Sequence, residues 1–177
     1  PELRGMTSDQ LKGRAKDIIE RSLDELTDAQ ERLWADDRRS VLVVLQAMDA
    51  AGKDSAIKHI MSGVNPQGCT VRAFKQPSSE ELDHTFLWRS MKAAPERGKI
   101  VIFNRSHYED VLVVKVHPKI LDNQKLPPGK RGKSFWNARY DDINAFERHL
   151  HRNGVLILKF FLHVSKKEQK QRLLARL

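Results

Sequence analysis

A run of apolar residues, Val41–Leu45, ends shortly before a loop that opens a helix, and this junction constrains the fold more than any other feature of the chain. Apolar runs rich in β-branched residues are typical of strands that are buried on both faces of a parallel sheet. A buried strand, a loop with a glycine-lysine pair and a helix start form the setting of a phosphate-binding loop. The loop reads Ala47-Met48-Asp49-Ala50-Ala51-Gly52-Lys53-Asp54-Ser55.

The chemistry of this loop suits phosphate. Backbone N–H groups at a helix N-terminus attract phosphate oxygens, Gly52 lets the backbone approach them closely, and Lys53 supplies a positive charge. The match to G-x-x-x-x-G-K-[ST] is incomplete, because Ala47 replaces the first glycine and Asp54 replaces the hydroxyl residue that usually binds magnesium. The alternative is an ordinary strand-to-helix turn. We predict that the phosphate-binding residues of the loop are Ala50, Ala51, Gly52, Lys53, Asp54 and Ser55.

Asp49 needs an explanation of its own, because a carboxylate inside a phosphate loop should repel the phosphates unless a metal ion lies between them. We predict that Asp49 binds Mg²⁺, with Mn²⁺ as an alternative ion, or orients the transferring phosphoryl group through it. The other role open to Asp49 is that of an Asx-turn residue.

A second polar cluster follows the strand predicted at Ile100–Phe103. Asn104 stands where the second signature of phosphate loops has an acid, so both usual magnesium positions are altered, which favours Asp49 as the metal ligand. Arg105 at the strand tip is predicted to clamp phosphoryl oxygens and to spread transition-state charge. Glu109 is either a second carboxylate for the metal or the partner of Ser106 in a capping box.

The remaining patterns alternate between strands and helices, which predicts βαβ units, an α/β fold and a parallel sheet covered on both faces. In such sheets ligands bind at the carboxyl ends of the strands. The predicted elements are a long helix at about 7–35 that opens with a Thr7–Gln10 capping box, strands at Thr70–Phe74 and Val155–Leu162, helices at Lys53–Met61 and Asn137–His151, a helix that opens at Ser78 and carries Leu82 to Met91, a surface loop at Pro118–Lys133, and a last helix opened by Ser165 and Glu168.

Composition limits the classes of partner and compartment. The net charge of +9 favours a polyanionic partner such as nucleic acid, an anionic membrane or a chain of phosphates. The single cysteine, Cys69, allows no intrachain disulfide and no thiolate zinc cluster, which fits a reducing cytoplasm. The apolar runs are too short to span a bilayer. We therefore predict a cytoplasmic protein without a membrane partner.

Together, the loop Met48–Asp54 and the cluster Asn104–Asp110 resemble the polyphosphate kinase type 2 family, and within it the subgroup that acts on nucleoside mono- and diphosphates. The resemblance runs from about Leu11 to the C-terminus. Supporting stretches are Gly63–Gly68, Phe86–Arg89 and Val111–Val114.

The resemblance implies one domain over residues 1–177 with a three-layer α/β/α P-loop kinase fold and a mainly parallel sheet. It implies Mg²⁺-dependent, reversible phosphoryl transfer between inorganic polyphosphate and AMP or ADP (or GMP and GDP), and assembly into dimers or tetramers. Catalytic roles carry over to Asp49, Lys53 and Arg105, whereas other members have aspartate at the position of Asn104. Members of the family carry a lid segment after the last helix, so we expect the lid to lie beyond Leu177.

Polyphosphate needs a track of cations, as single-stranded nucleic acid does, but without stacking platforms. Two rival functions remain open. An ATP-dependent nucleoside monophosphate kinase would share the fold, but Asp49 and the strongly basic charge argue against it. A non-enzymatic nucleic-acid binder fits the charge, but aromatic residues make up only 7% of the chain and no recognition motif is present. Candidates for the cation track are Lys58, Lys75, Arg89 and the basic run Lys115, Lys119, Lys125, Lys130, Arg131 and Lys133.

Overall fold

The computed structural model describes residues 7–175, apart from the side chain of Ser8. Helices and strands alternate over this range, as the sequence predicts. The strands are β1 (Ser40–Ala47), β2 (Cys69–Ala73), β3 (Ile100–Asn104) and β4 (Val155–Leu162). The helices are α1 (Ser8–Asp36), α2 (Lys53–Ile60), α3 (Ser79–Leu82), α4 (Trp88–Lys92), α5 (Glu109–Val116), α6 (Lys133–Arg152) and α7 (Lys166–Leu174). Short 3₁₀ segments lie at Met61–Gly63, Pro66–Gly68 and Pro118–Gln124.

The four strands form one parallel sheet in the order β2-β3-β1-β4, which confirms the predicted α/β class. On one face, Leu42 and Phe103 are fully buried and pack in a cluster with Phe146 and Leu150 of α6. On the other face, Leu45 and Ile102 pack against Ile57 of α2. The sheet therefore lies between two layers of helix. Within the described residues, no helix is both long enough and apolar enough to cross a membrane.

The order of the strands determines where polar residues can meet. β1 is central, and its neighbour β3 pairs with it in register, so that Leu45 lies opposite Asn104. The backbone N–H of Arg105 continues this pairing by donating to the carbonyl of Leu45 at 3.2 Å. The loop after β1 and the residues after β3 therefore emerge side by side at the carboxyl edge of the sheet.

Helix starts follow the predicted capping chemistry at three places. Thr7 and Gln10 form the capping box of α1, and Ser78 and Glu81 form that of α3. The hydroxyl of Ser165 caps α7 by accepting from the backbone N–H of Glu168.

Of the two roles considered for Glu109, that of partner to Ser106 in a capping box is wrong. Ser106 is fully buried, and its hydroxyl accepts from the backbone N–H of Tyr108 and the side chain of Gln46. Helix α5 begins only at Glu109, with no side-chain cap. The carboxylate of Glu109 is therefore not committed to capping, because the hydroxyl that was expected to pair with this residue is turned into the core.

Two other local predictions need correction. The helix expected from Ser78 through Met91 is divided into α3 and α4 by a turn. The stretch from Pro118 to Lys133 is not simply a surface loop, because it begins with a 3₁₀ segment whose Leu121 is buried. A single apolar anchor in a polar, proline-containing stretch gives no periodic signal that sequence reasoning could use.

Candidate active site at the carboxyl edge of the sheet

Two residues of the loop after β1 have unusual backbone conformations. Gly52 lies in the left-handed region with φ 88°, and Ala50 does so as well, with φ 59°. For an L-residue such as alanine this conformation costs about 1 kcal/mol. Strain of this kind is retained where the surrounding structure requires a particular shape, and active-site loops are common places for it.

Helix α2 begins at this loop without a side-chain cap, because Gly52 occupies the N-cap position. The first N–H groups of an α-helix have no partners within the helix. In α1, α3 and α7 a side-chain oxygen accepts from one of them, whereas in α2 none does. The start of α2 therefore offers backbone donors and the positive end of a helix dipole to an anion.

Asn104 links the two polar clusters. Its side-chain oxygen accepts a hydrogen bond from the Nζ of Lys53, and its Nδ2 donates to the Oδ1 of Asp54 at 2.8 Å. An amide can accept from the ammonium and donate to the carboxylate at once, which an ionised aspartate could not do. Asparagine at this position thus holds both neighbours, and the carboxylate of Asp54 is already engaged.

Arg105 has the left-handed backbone conformation as well, with φ 64°. Arg105 is exposed, and within residues 7–175 no carboxylate or carbonyl pairs with its guanidinium group. A bulky non-glycine residue at positive φ is uncommon. The strained turn directs an unpaired cation to the edge of the sheet beside the phosphate loop.

A cavity of about 420 Å³ joins these groups. It is lined by the loop 46–55 together with Arg105, Glu109 and Val113. Seven of the predicted residues that line it belong to the loop, from Asp49 to Ser55, and Arg105 and Glu109 complete the set. The structure therefore brings all predicted catalytic residues into one space.

The donor set of the cavity fits Mg²⁺. Asp49 is exposed, and in the described part of the chain its carboxylate has no hydrogen-bond or ion-pair partner. Glu109 lines the same cavity. Mg²⁺ is usually held by one or two carboxylates together with substrate phosphates and waters, not by a complete protein cage. Among residues 7–175, no cluster of three or more acidic, histidine or cysteine groups suited to a metal occurs.

Four predicted phosphate ligands lie outside this cavity. Lys58 is exposed on α2, Lys75 is exposed just beyond β2, and Lys115 donates to the hydroxyl of Tyr140 at 2.8 Å. Arg89 is mostly buried, with its side chain 10% exposed, and donates to the carbonyl of Lys75 at 2.9 Å. A role for these four in holding polyphosphate stays a prediction.

Sequence reasoning missed two residues of α7 that hold the loop from behind. Gln169 donates to the carbonyl of Asp49 at 2.9 Å, and Arg172 donates to the carbonyls of Ala50 and Ala51 at 3.3 and 3.1 Å. The sequence did contain a signal for them. Gln169 and Arg172 are three residues apart on α7, which puts both side chains on one face of a helix that follows β4, the neighbour of β1.

The direction of these contacts matters for binding. A trans peptide unit is planar, so its N–H points away from its carbonyl. Because α7 takes the carbonyls of three consecutive loop residues, the N–H groups of those peptide units are turned away from α7. The loop is thereby held in one orientation by a helix that is more than a hundred residues away in the chain.

The sequence profile of the Polyphosphate kinase 2 (PPK2) family matches residues 10–177. The chain belongs to the polyphosphate kinase 2 family. An ADP-polyphosphate phosphotransferase of Rhodopseudomonas palustris is 54% identical over 162 residues, which cover 91% of this chain and 56% of the relative. An AMP/ADP-polyphosphate phosphotransferase of Meiothermus ruber is 49% identical over 160 residues, which cover 90% of this chain and 55% of the relative.

The fold is that of solved members of the polyphosphate kinase 2 family. The crystal structure of Polyphosphate Kinase 2 from Arthrobacter aurescens TC1 superposes with a TM-score of 0.85 at 37% identity, covering 98% of this chain and 58% of that one. The P-loop kinase fold implied by the sequence resemblance is thus confirmed. The chain spans just over half the length of the relatives that it matches.

Proposed function

We propose that the chain contains the phosphate-transfer centre of a polyphosphate:ADP/AMP phosphotransferase. The observation that carries the proposal is the single cavity in which an uncapped helix start, Lys53 and the unpaired guanidinium of Arg105 meet the free carboxylate of Asp49. A basic chain with these groups can gather several phosphoryl oxygens in one place. The names of the relatives from Rhodopseudomonas palustris and Meiothermus ruber support polyphosphate and ADP or AMP as the substrates.

Phosphoryl transfer of this kind requires the protein to position the two substrates, and it requires no nucleophilic side chain. The acceptor is already an anionic phosphate oxygen, so no strong base is needed. In-line transfer is then accelerated by holding donor and acceptor phosphates together and by neutralising the charge that spreads over the equatorial oxygens. Lys53 and the N–H groups at the start of α2 are placed to bind the donor. Arg105, at the tip of the adjacent strand, is placed to bind the transferring group.

Asp49, with Glu109 as a second carboxylate, would hold Mg²⁺ or Mn²⁺. The bound ion would supply additional positive charge to the phosphates. The role of the protein is to provide a carboxylate that is not consumed by any internal hydrogen bond. That role explains why an acidic residue is tolerated inside a loop that binds anions.

The proposal is tested by measuring ATP formation from ADP, and ADP formation from AMP, with polyphosphate as the only phosphoryl donor and Mg²⁺ present. The assay uses the full-length protein, because the chain spans just over half the length of the relatives that it matches. Asp49→Asn keeps the size of the side chain but removes the charge, and we expect it to lower kcat by at least about a hundredfold. Lys167→Ala, at an exposed position on α7 away from the cavity, is the matched control and should leave the rate unchanged.

The same assay separates the rival functions. Transfer to a monophosphate from ATP but not from polyphosphate would replace the proposal by an ATP-dependent nucleoside monophosphate kinase. A nucleic-acid binder would show no transfer at all, and its affinity would survive Lys53→Ala. Normal turnover in Asp49→Asn would refute the metal assignment while leaving the reaction in place. Assembly into dimers or tetramers stays a prediction from the family.

A further inference from the structure

A polar cluster outside the phosphate cavity gathers around Glu147 of α6. The Oε1 of Glu147 accepts from the hydroxyl of Tyr108 at 2.7 Å and lies 3.3 Å from the Nε2 of His107. The Oε2 accepts from the Nζ of Lys159 at 2.6 Å, and the same Nζ donates to the hydroxyl of Tyr108 at 3.1 Å. We call these four residues the Glu147 cluster. One carboxylate of α6, which as an ion only accepts hydrogen bonds, thereby joins the turn after β3 to β4.

Most of the Glu147 cluster is buried. The side chain of His107 is 0% exposed and that of Glu147 is 12% exposed. The ring of His107 meets the ring of Phe146 edge-on, with centroids 5.4 Å apart. Lys159, whose side chain is 49% exposed, closes the cluster towards solvent. A buried donor that loses its acceptor is costly, so removing the carboxylate of Glu147 should disturb its partners more than the loss of a surface contact would.

The partners of Glu147 belong to the turn that begins at Arg105. The backbone N–H of Arg105 donates to a carbonyl of β1, and the buried hydroxyl of Ser106 accepts from a side chain of β1. The next two residues, His107 and Tyr108, are bonded to Glu147. The turn is therefore fastened on two sides, to β1 by its first half and to α6 by its second half.

These contacts matter because the backbone of Arg105 is strained. Its φ of 64° lies in the left-handed region, which costs free energy for an L-residue. Such a conformation persists only where the surrounding structure over-determines it. Within residues 7–175, the guanidinium of Arg105 has no carboxylate or carbonyl partner that could fix it instead. The direction in which this side chain leaves the backbone is therefore determined by the contacts of the turn.

We infer that Glu147 is a positioning residue for Arg105. By binding the side chains of His107 and Tyr108, the carboxylate keeps the turn in the conformation that presents the guanidinium to the phosphate cavity. The inference rests on the proposed function, in which Arg105 binds the transferring phosphoryl group. Glu147 is not among the described residues that line the cavity, so its effect on transfer passes through Arg105.

The test is a double-mutant cycle in the full-length protein, with polyphosphate as donor and ADP as acceptor. We expect Glu147→Gln to lower kcat by at least about tenfold and to change the KM for ADP by less than about twofold, because Arg105 acts mainly in the transition state. In an Arg105→Ala background, Glu147→Gln should lower kcat no further. A merely structural role would lower kcat by the same factor in both backgrounds, and that result would overturn the inference.

Milder variants keep the test independent of how well Glu147→Gln folds. Tyr108→Phe keeps the ring and removes one donor to Glu147, so it should lower kcat by about threefold, again only while Arg105 is present. Lys159→Met should act in the same way, and Lys159→Arg, which keeps a donor, should restore most of the rate. Asp141→Asn makes the same change of carboxylate to amide at an exposed position of α6 and should leave kcat unchanged.

A crystal structure of Glu147→Gln measures the turn directly and does not depend on activity. We expect the φ of Arg105 to leave the left-handed region, and an unchanged turn would overturn the inference. If the unaltered full-length protein transfers no phosphate from polyphosphate, the proposed function is wrong, and the turn in this crystal structure decides whether Glu147 positions Arg105. If transfer occurs but Glu147→Gln lowers kcat equally in both backgrounds, the function stands and the inference is wrong.

Discussion

Two cavities of this chain are built in opposite ways. The phosphate cavity comes from one short loop and one strand end, and its key charges, Asp49 and Arg105, are exposed and unpaired. The cavity at Asp110 and Arg139 comes from segments far apart in the chain, and its charges are buried and paired with each other. The first holds charge ready for an incoming phosphate, whereas the second uses charge to fix its own walls.

The largest effect is expected at Arg105, where function and stability should separate. Arg105→Ala and Arg105→Gly both remove the guanidinium, so each should lower kcat by about a thousandfold, which corresponds to about 4 kcal/mol. Glycine adopts positive φ without strain, so Arg105→Gly should also be more stable than Arg105→Ala, by about 1 kcal/mol. Steady-state kinetics and urea unfolding measure the two effects. Equal stability of the variants would show that the strained turn at Arg105 has no cost.

Arg139, in the cavity with Asp110, should affect the stability of the fold. Arg139→Met removes a buried cation that donates to the carbonyl of Asp110 and to Gln124. The loss should be about 3 kcal/mol in the free energy of unfolding, because breaking a buried ion pair leaves its partner uncompensated. Arg148→Met, at an exposed position of the same helix, should change stability by less than about 0.5 kcal/mol. If the two variants unfold alike in urea, the ion pair of Asp110 and Arg139 does not stabilise the fold.

This contrast explains what could be predicted from the sequence. The phosphate loop is contiguous, so its strand, glycine, lysine and helix start could be read together, and Asp49 and Arg105 were identifiable from their places at strand ends. Asp110, Gln124 and Arg139 carry no local pattern, because their meeting depends on how α5, α6 and the 3₁₀ segment pack. The same holds for Ser106, whose turn into the core rules out a capping box with Glu109.

A third polar cluster is the Glu147 cluster, formed by Glu147 with His107, Tyr108 and Lys159. Its contribution to stability can be tested by changing the pH. Burial by itself raises the pKa of Glu147, but hydrogen bonds from His107, Lys159 and Tyr108 outweigh it and lower the pKa to about 2. A lowered carboxyl pKa stabilises the fold above the ordinary value of 4.5, and this stability is lost as the pH falls from 4.5 towards 2.

Glu147→Gln should therefore destabilise the protein by about 2 kcal/mol at neutral pH. The difference from the unaltered chain should shrink as the pH falls below 4.5 and be nearly absent near 2. Urea unfolding of both proteins at a series of pH values measures it. A difference that stays constant down to the lowest pH would mean that the charge of Glu147 is not what the cluster stabilises.

The smallest expected effect concerns the contact between α7 and the phosphate loop. Gln169→Ala removes one donor to the carbonyl of Asp49. A single hydrogen bond contributes about 1 kcal/mol, so the KM for polyphosphate should rise about fivefold while kcat changes less. Gln171→Ala, exposed on the same helix, should have no effect.

Two further substitutions show whether Gln169 acts through the loop or only supports the fold. Gln169→Lys keeps a donor and should restore most of the affinity for polyphosphate. Gln169→Glu puts an ionised acceptor against the Asp49 carbonyl and should weaken binding more than Gln169→Ala does. If all three variants bind polyphosphate equally, the loop keeps its orientation without α7. The ordering Lys, then Ala, then Glu would instead show that α7 determines which way the loop presents its N–H groups.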